Sequence, residues 1–324
     1  MEFWSWLIYV PFFSWNIKEL FNAAEFGDVQ VVQAAIDQGV NLNWQDPVGK
    51  TPLYIASREG QSAIVEILVN ANVDVNIKTN DGNTPLFIAS KNGHSTIVEM
   101  LINANADVDD PNSNYELPLF IASKNGHSTI VEMLIKAKAY PDYVENNDET
   151  PLFIASKNGH STIVEMLINA NAEVDIINVN EEGPLYIASS EGHSTIVEML
   201  INANADVNID TKNQGETPLY IASKQGHSTI VEMLINANAD VNIPRHEGRK
   251  GIWYSVPHGV TPLYIAIQEE HSTIVEMLIN ANANPDIADV NWYSPLYLAI
   301  NKGHSTIVEM LINANANVNI TTRS

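Results

Sequence analysis

Apolar residues along this chain come in paired short blocks, and the stretch from Thr84, TPLFIASKNGHSTIVEMLINANADVD, shows the pattern in full. Thr84 is suited to cap a helix and Pro85 to occupy its first turn, where a missing N–H has no intrahelical partner to lose. The spacing therefore predicts a first helix from Pro85. Gly93 is placed to take the left-handed conformation that ends it. His94, Ser95 and Thr96 lead into a second helix in which Ile97, Val98, Met100, Leu101 and Ile102 are apolar, while Ser95, Thr96, Glu99 and Asn103 form one polar stripe. Asn105 then stands where a glycine would end the second helix, and Asn is the next most tolerant residue of left-handed backbone. Asn80, Asp81 and Gly82 supply turn chemistry before the unit begins.

The pattern repeats. Pro-Leu dipeptides place prolines at 52, 85, 118, 151, 184, 218, 262 and 295, a spacing of 33 apart from one step of 34 and one of 44. The segment ELFNAAEFGDVQVVQAAIDQGVNLN from Glu19 is in phase, its Gly27 matching Gly60, which makes nine repeats starting near 19, 51, 84, 117, 150, 183, 217, 261 and 294. Helices of about eight to ten residues do not hold alone in water, so the units must stack on one another. The expected fold is an all-α solenoid over residues 19–324, preceded by an aromatic segment, residues 1–18, and interrupted by an inserted loop at 244–258.

Composition narrows the chemistry. With 16 Lys plus Arg against 39 Asp plus Glu, the formal charge of −23 repels phosphate backbones, so nucleic acid is not expected as a partner. The chain has no cysteine, which removes disulfides, thiolate metal sites and cysteine nucleophiles and fits a cytoplasmic, intracellular setting. No apolar run is long enough to span a bilayer as a helix. The repeated histidines at 94, 127, 160, 193, 227, 271 and 304 would lie one helix layer apart, too far for joint zinc ligation, and read as turn residues. The glutamates at 66, 99, 132, 165, 198, 232, 276 and 309 read as a solvated face. No phosphate loop, zinc-protease helix or nucleophile elbow occurs, so no enzyme activity and no cofactor is expected.

TPLYIASREG from Thr51 and TPLFIASKNGH from Thr84 resemble the ankyrin signature, whose first helix begins T-P-L-H-x-A. The resemblance covers residues 19 to 324 and implies helix–turn–helix repeats whose loops project as fingers. It further implies that the fingers and adjoining first helices bind another protein. Here the signature's His is Tyr54, Phe87, Phe120, Phe153, Tyr186, Tyr220, Tyr264 or Tyr297, so the hydrogen bonds of that His are not expected. The capping Thr gives way to Leu117, Gly183 and Ser294, an expected weakening of those caps, and Glu270 replaces the helix-ending Gly of the eighth repeat. The resemblance also implies possible asparagine hydroxylation where Leu stands eight residues ahead, at Asn76, Asn208 and Asn242.

The repeats themselves point to the same surface. HSTIVEMLI recurs unchanged in seven units, whereas the segments ahead of each Pro-Leu read KTNDGN, DPNSNYEL, YVENNDE, INVNEEG, DTKNQGE and ADVNWYS. They carry Trp44, Tyr115, Tyr143, Trp253, Tyr254, Trp292 and Tyr293, which serve either as interface anchors or as packing between loops. The inserted loop, IPRHEGRKGIWYSVPHGV from Ile243, adds Arg245, Arg249 and Lys250 beside its aromatics and either grips an acidic partner segment or clips onto the chain's own carboxylates.

Both ends depart from the frame. The first fifteen residues hold seven of the chain's 25 aromatics, and they cap the first repeat, touch a membrane surface or dock a partner. The last repeat keeps the internal apolar pattern at Ile307, Val308, Met310, Leu311 and Ile312, which suggests a flank prone to self-association. The expected function is a protein-interaction scaffold or adaptor; the alternative is a targeting module for a membrane-associated complex.

Overall fold

The structure is a computed structural model that describes residues 17–211, 215–245 and 259–319. The described residues fall into two units, divided between Tyr140 and Pro141. The first holds α1 (Ile17–Phe26), α2 (Val29–Asp37), α3 (Pro52–Glu59), α4 (Ser62–Asn70), α5 (Pro85–Asn92), α6 (Ser95–Asn103), α7 (Pro118–Lys124) and α8 (Ser128–Lys136). The second holds α9 (Pro151–Lys157), α10 (Ser161–Asn169), α11 (Pro184–Glu191), α12 (Ser194–Asn202), α13 (Pro218–Gln225), α14 (Ser228–Asn236), α15 (Pro262–Gln268), α16 (Ser272–Asn280), α17 (Pro295–Lys302) and α18 (Ser305–Asn313). Each odd-numbered helix packs on the even-numbered one that follows, and within each unit first helices stack on first helices and second on second.

Local sequence explains the boundaries. Thr51, Thr84, Thr150, Thr217 and Thr261 sit in extended backbone, and each hydroxyl accepts the N–H three residues on, as from Phe87 N at 3.0 Å. Leu117 and Gly183 make no such bond. Ser294 does, from Tyr297 N at 3.2 Å, so that cap is retained rather than weakened. Seven of the second helices end on Asn72, Asn105, Asn171, Asn204, Asn238, Asn282 and Asn315, all with φ between 56° and 64°, while α2 ends on Gly39 and α8 on Lys138, both with φ 69°.

The glycines that end the first helices answer to two constraints at once. Gly60, Gly93, Gly159, Gly192 and Gly226 have φ between 76° and 83°, and a Cβ on any of them would stand 2.7–2.9 Å from Cε1 of the next repeat's histidine. That approach lets the ring reach back across the joint. His94, His127, His193, His227 and His271 each set Nε2 at 3.1–3.2 Å from a carbonyl two residues before the glycine, Arg58, Lys91, Lys157, Ser190 and Lys224 respectively. Facing a carbonyl, Nε2 must carry the proton. Gln61, where the second repeat has no histidine, donates to Glu25 O at 2.9 Å in the same way. The histidines therefore clip neighbouring repeats together, and among the described residues no group of three or more His, Asp or Glu is placed to hold a metal.

The core is formed by the two helices' facing sides: Leu86, Ala89, Ile97, Val98 and Leu101 are fully or almost fully buried, and their counterparts from α3 to α16 behave alike, whereas Val31 and Val308 in the first and last pairs are only half-buried. At about 25 cal/mol per Å² of apolar surface, this stacking, not helix propensity, holds such short helices.

Candidate functional site

The segments between Pro-Leu repeats close as tight turns at their tips. Gly49 N donates to Asp46 O, Gly82 N to Thr79 O, Tyr115 N to Asn112 O, Asp148 N to Glu145 O, Glu181 N to Asn178 O and Trp292 N to Asp289 O, at 2.8–3.0 Å. The last residue of each turn is left-handed. Gly49 and Gly82 meet that requirement at no steric cost, whereas Tyr115 (φ 60°), Asp148 (φ 56°), Glu181 (φ 65°) and Trp292 (φ 67°) do not. Tyr115 is nonetheless 57% exposed and Trp292 38%. Val48, Val179 and Val290 are exposed at the tips that Gly49, Glu181 and Trp292 close; lone valines in polar loops carry too little pattern to be singled out from sequence.

The fingers are held in register by their neighbours. In the first unit Asn80 N donates to Val48 O at 3.0 Å and Ser113 N to Asp81 O at 3.0 Å; in the second Val179 N donates to Asn147 O at 2.9 Å. Below the tips runs a ladder of carboxamides and carboxylates. Asn76 Oδ1 accepts Asp107 N at 2.9 Å, Asn208 Oδ1 accepts Asp240 N at 2.8 Å and Asn242 Oδ1 accepts Asn284 N at 2.7 Å. The three asparagines marked for hydroxylation are thus rungs between repeats.

Other sequence-selected residues are placed differently. Trp44 is half-buried and meets Phe21 edge-on, with centroids 5.7 Å apart. Tyr293 stacks on Tyr297 at 4.6 Å and 12°. Tyr143 is half-buried. Arg249, Lys250, Trp253 and Tyr254 lie outside the described residues, as do residues 1–15.

The first helices offer less surface than the sequence suggests. Pro85 through Ser90 is buried in α5 and the corresponding runs are buried from α3 to α15, which leaves mainly the last turn accessible. A cation recurs there. Lys124 sits 5.7 Å above the Phe120 ring and 3.7 Å from Glu116, and Lys157 sits 5.8 Å above Phe153 and 3.6 Å from Glu149.

Arg245 stands at the base of the inserted loop and belongs to the fold. Its backbone N donates to Val260 O at 2.9 Å, and Gly259 N donates to Ala288 O at 3.0 Å, so both ends of the loop are tied down. Its guanidinium Nε lies 3.1 Å from Glu216 Oε1, a contact with the geometry of an ion pair rather than an aligned hydrogen bond. Glu216 is buried, and its other oxygen accepts the Tyr186 hydroxyl at 2.7 Å. Tyr186 therefore supplies a hydrogen bond where the signature's His is missing. Burial, with the Glu216 carboxylate beside it, pushes the Tyr186 hydroxyl well above its ordinary pKa. Burial, with Asp289 adding to it, does the same for Tyr264. Tyr54 and Tyr220 are also raised by burial, which at Tyr220 the Arg245 charge opposes.

Paired short helices on a fixed frame, with sequence-variable turns held at its edge, define a helical repeat protein. The family model for ankyrin repeats in three copies matches residues 20–112, 106–178, 171–245 and 250–322. The chain belongs to the ankyrin repeat family. Ankyrin repeats are protein–protein interaction modules and are typically non-enzymatic. No curated protein matches the chain. Among the described residues no helix is long and apolar enough to cross a membrane.

Proposed function

We propose that this protein is an interaction scaffold that recognises its partner protein through the finger tips, with Tyr115 and Trp292 as anchors. The observation that carries this reading is their combination of strain and exposure. A bulky residue in left-handed backbone costs about 1–2 kcal/mol, and the equivalent turns at Gly49 and Gly82 close without that cost. Tyr and Trp offer a partner a large, stiff face with a hydrogen-bonding end. The inserted loop, with Arg249 and Trp253, is the second element of the proposal; its base is tied at Arg245 and Gly259, which limits the entropy lost when it binds. An intracellular setting accords with a chain free of cysteine.

The test is affinity capture with the full chain, then titration of the captured partner against Tyr115→Gly, Trp292→Gly, Arg249→Ala and Trp253→Ala. The two glycine variants are expected to unfold at slightly higher denaturant, by about 0.5–1 kcal/mol once the extra chain entropy of Gly is subtracted. Both should bind the partner at least tenfold more weakly. Undiminished affinity in all four variants would refute the reading.

A further inference from the structure

The joint between α15–α16 and α17–α18 breaks the rule that Gly60, Gly93, Gly159, Gly192 and Gly226 keep. Glu270 occupies the place of Gly60 and its equivalents, with φ 67°. Its Cβ takes the space into which the next histidine normally packs, where ideal Cβ atoms at the other joints would come within 2.9 Å of the ring. His304 accordingly loses its clip. Among the described residues its Nε2 has no hydrogen-bond partner; it lies 3.4 Å from Glu270 Oε1, and Lys302 Nζ lies 3.4 Å from the same oxygen. An open cavity of about 400 Å³ lies at this joint, lined by Glu270, Glu276, His304, Ser305, Ile307 and Met310 among others.

We infer that this joint is a built-in opening seam, at which α17–α18 undocks as a unit and uncovers the sides of α15 and α16. Three features act together. The left-handed glutamate is strained in the closed state, the histidine-to-carbonyl bond that ties five other joints is missing, and the Lys302 ion pair that stands there involves a Glu270 side chain that is more than half exposed, where solvent screens it. Relief of the strain together with recovery of one hydrogen bond corresponds to about a 30- to 100-fold change in the opening equilibrium. Seam opening of this kind is a sub-global event that amide exchange reads directly.

The experiment is hydrogen exchange with peptide resolution on the full chain, comparing wild type, Glu270→Gly, Glu270→Ala, His304→Ala and Glu270→Gly with His304→Ala. Glu270→Gly is expected to slow exchange in α17–α18 by at least tenfold, leaving α11–α14 unchanged. Glu270→Ala keeps the Cβ and the left-handed strain, and should leave exchange as fast as in wild type or faster. His304→Ala should matter little alone and should reverse part of the gain of Glu270→Gly, because the clip forms only in that background. Unchanged protection in Glu270→Gly would mean ordinary fraying of a terminal pair and overturn the inference; so would a gain in Glu270→Ala equal to that in Glu270→Gly.

Discussion

Replacing Arg245 by alanine should destabilise the second unit through Glu216, and the size of the effect follows from where the two charges sit. The Glu216 side chain is 7% exposed, so after the replacement a carboxylate is left in low-dielectric surroundings with the Tyr186 hydroxyl as a bonded neighbour. Breaking a fully buried ion pair costs about 3–5 kcal/mol. Arg245 itself is 32% exposed, water already screens part of the attraction, and about 2 kcal/mol is the appropriate figure. Glu216→Gln removes the charge yet keeps an oxygen for Tyr186, and the freed guanidinium has access to water, so it should cost about 1 kcal/mol or less. The double variant should then resemble Glu216→Gln, leaving a coupling of about 1–2 kcal/mol. Urea midpoints followed by circular dichroism, with amide exchange in α11, α13 and α15 to place the loss, make the measurement. If Arg245→Ala shifts stability by under about 0.5 kcal/mol, or the double variant is no better than Arg245→Ala, the pair is not holding the loop base and the reasoning fails.

Two further outcomes follow from the same geometry. Gly183 caps α11 without a side chain, in extended backbone with only Ile177 Cγ2, at 3.8 Å, near the place of a Cβ; Gly183→Thr should therefore gain about 1 kcal/mol in urea unfolding, from a cap to Tyr186 N and a stiffer unfolded chain. The raised tyrosines predict alkaline instability. Because the fold holds Tyr54, Tyr186, Tyr220 and Tyr264 neutral, their contribution is intact below the unfolded pKa near 10 and is lost as pH rises above it, most steeply through Tyr186 and Tyr264, each at up to about 1.4 kcal/mol per pH unit. Urea midpoints between pH 9 and 11.5 should fall with that sign, and less steeply in Tyr186→Phe.

The frame was readable from the chain because each of its signals is local. A Thr-Pro pair needs only its own helix to act as a cap and first turn, and Asn105 needs only its own φ of 61°. What depends on a residue a whole repeat away was less legible. The clip from His94 to Arg58 spans 36 residues, and Gln61 does the same work with different chemistry, so neither spacing nor residue type reveals it. Arg245 reads as a free cation in a basic loop until Glu216 is seen beneath it. Trp44 and Tyr293 resemble Tyr115 in composition and position; what separates them is whether a ring such as Phe21 or Tyr297 lies within reach.

Near-identity of the repeats makes each departure informative, since the unchanged copies serve as internal controls. Gly60 and Gly226 show what the backbone needs at a joint, so Glu270 measures what is given up there: a left-handed glycine and the histidine bond that depends on it. Gly49 and Gly82 show the unstrained way to close a finger, so Tyr115 and Trp292 mark places where the tip's side chain matters more than the ease of the turn. In the first case the neighbouring pair shows the consequence, because His304 Nε2 faces Glu270 at 3.4 Å instead of bonding a carbonyl. At Tyr115 the residue is 57% exposed, and among the described residues no ring contact or side-chain hydrogen bond accounts for keeping it in left-handed backbone. Strain that the fold does not use is most simply retained for something outside it, which is why binding and stability should move in opposite directions in Tyr115→Gly.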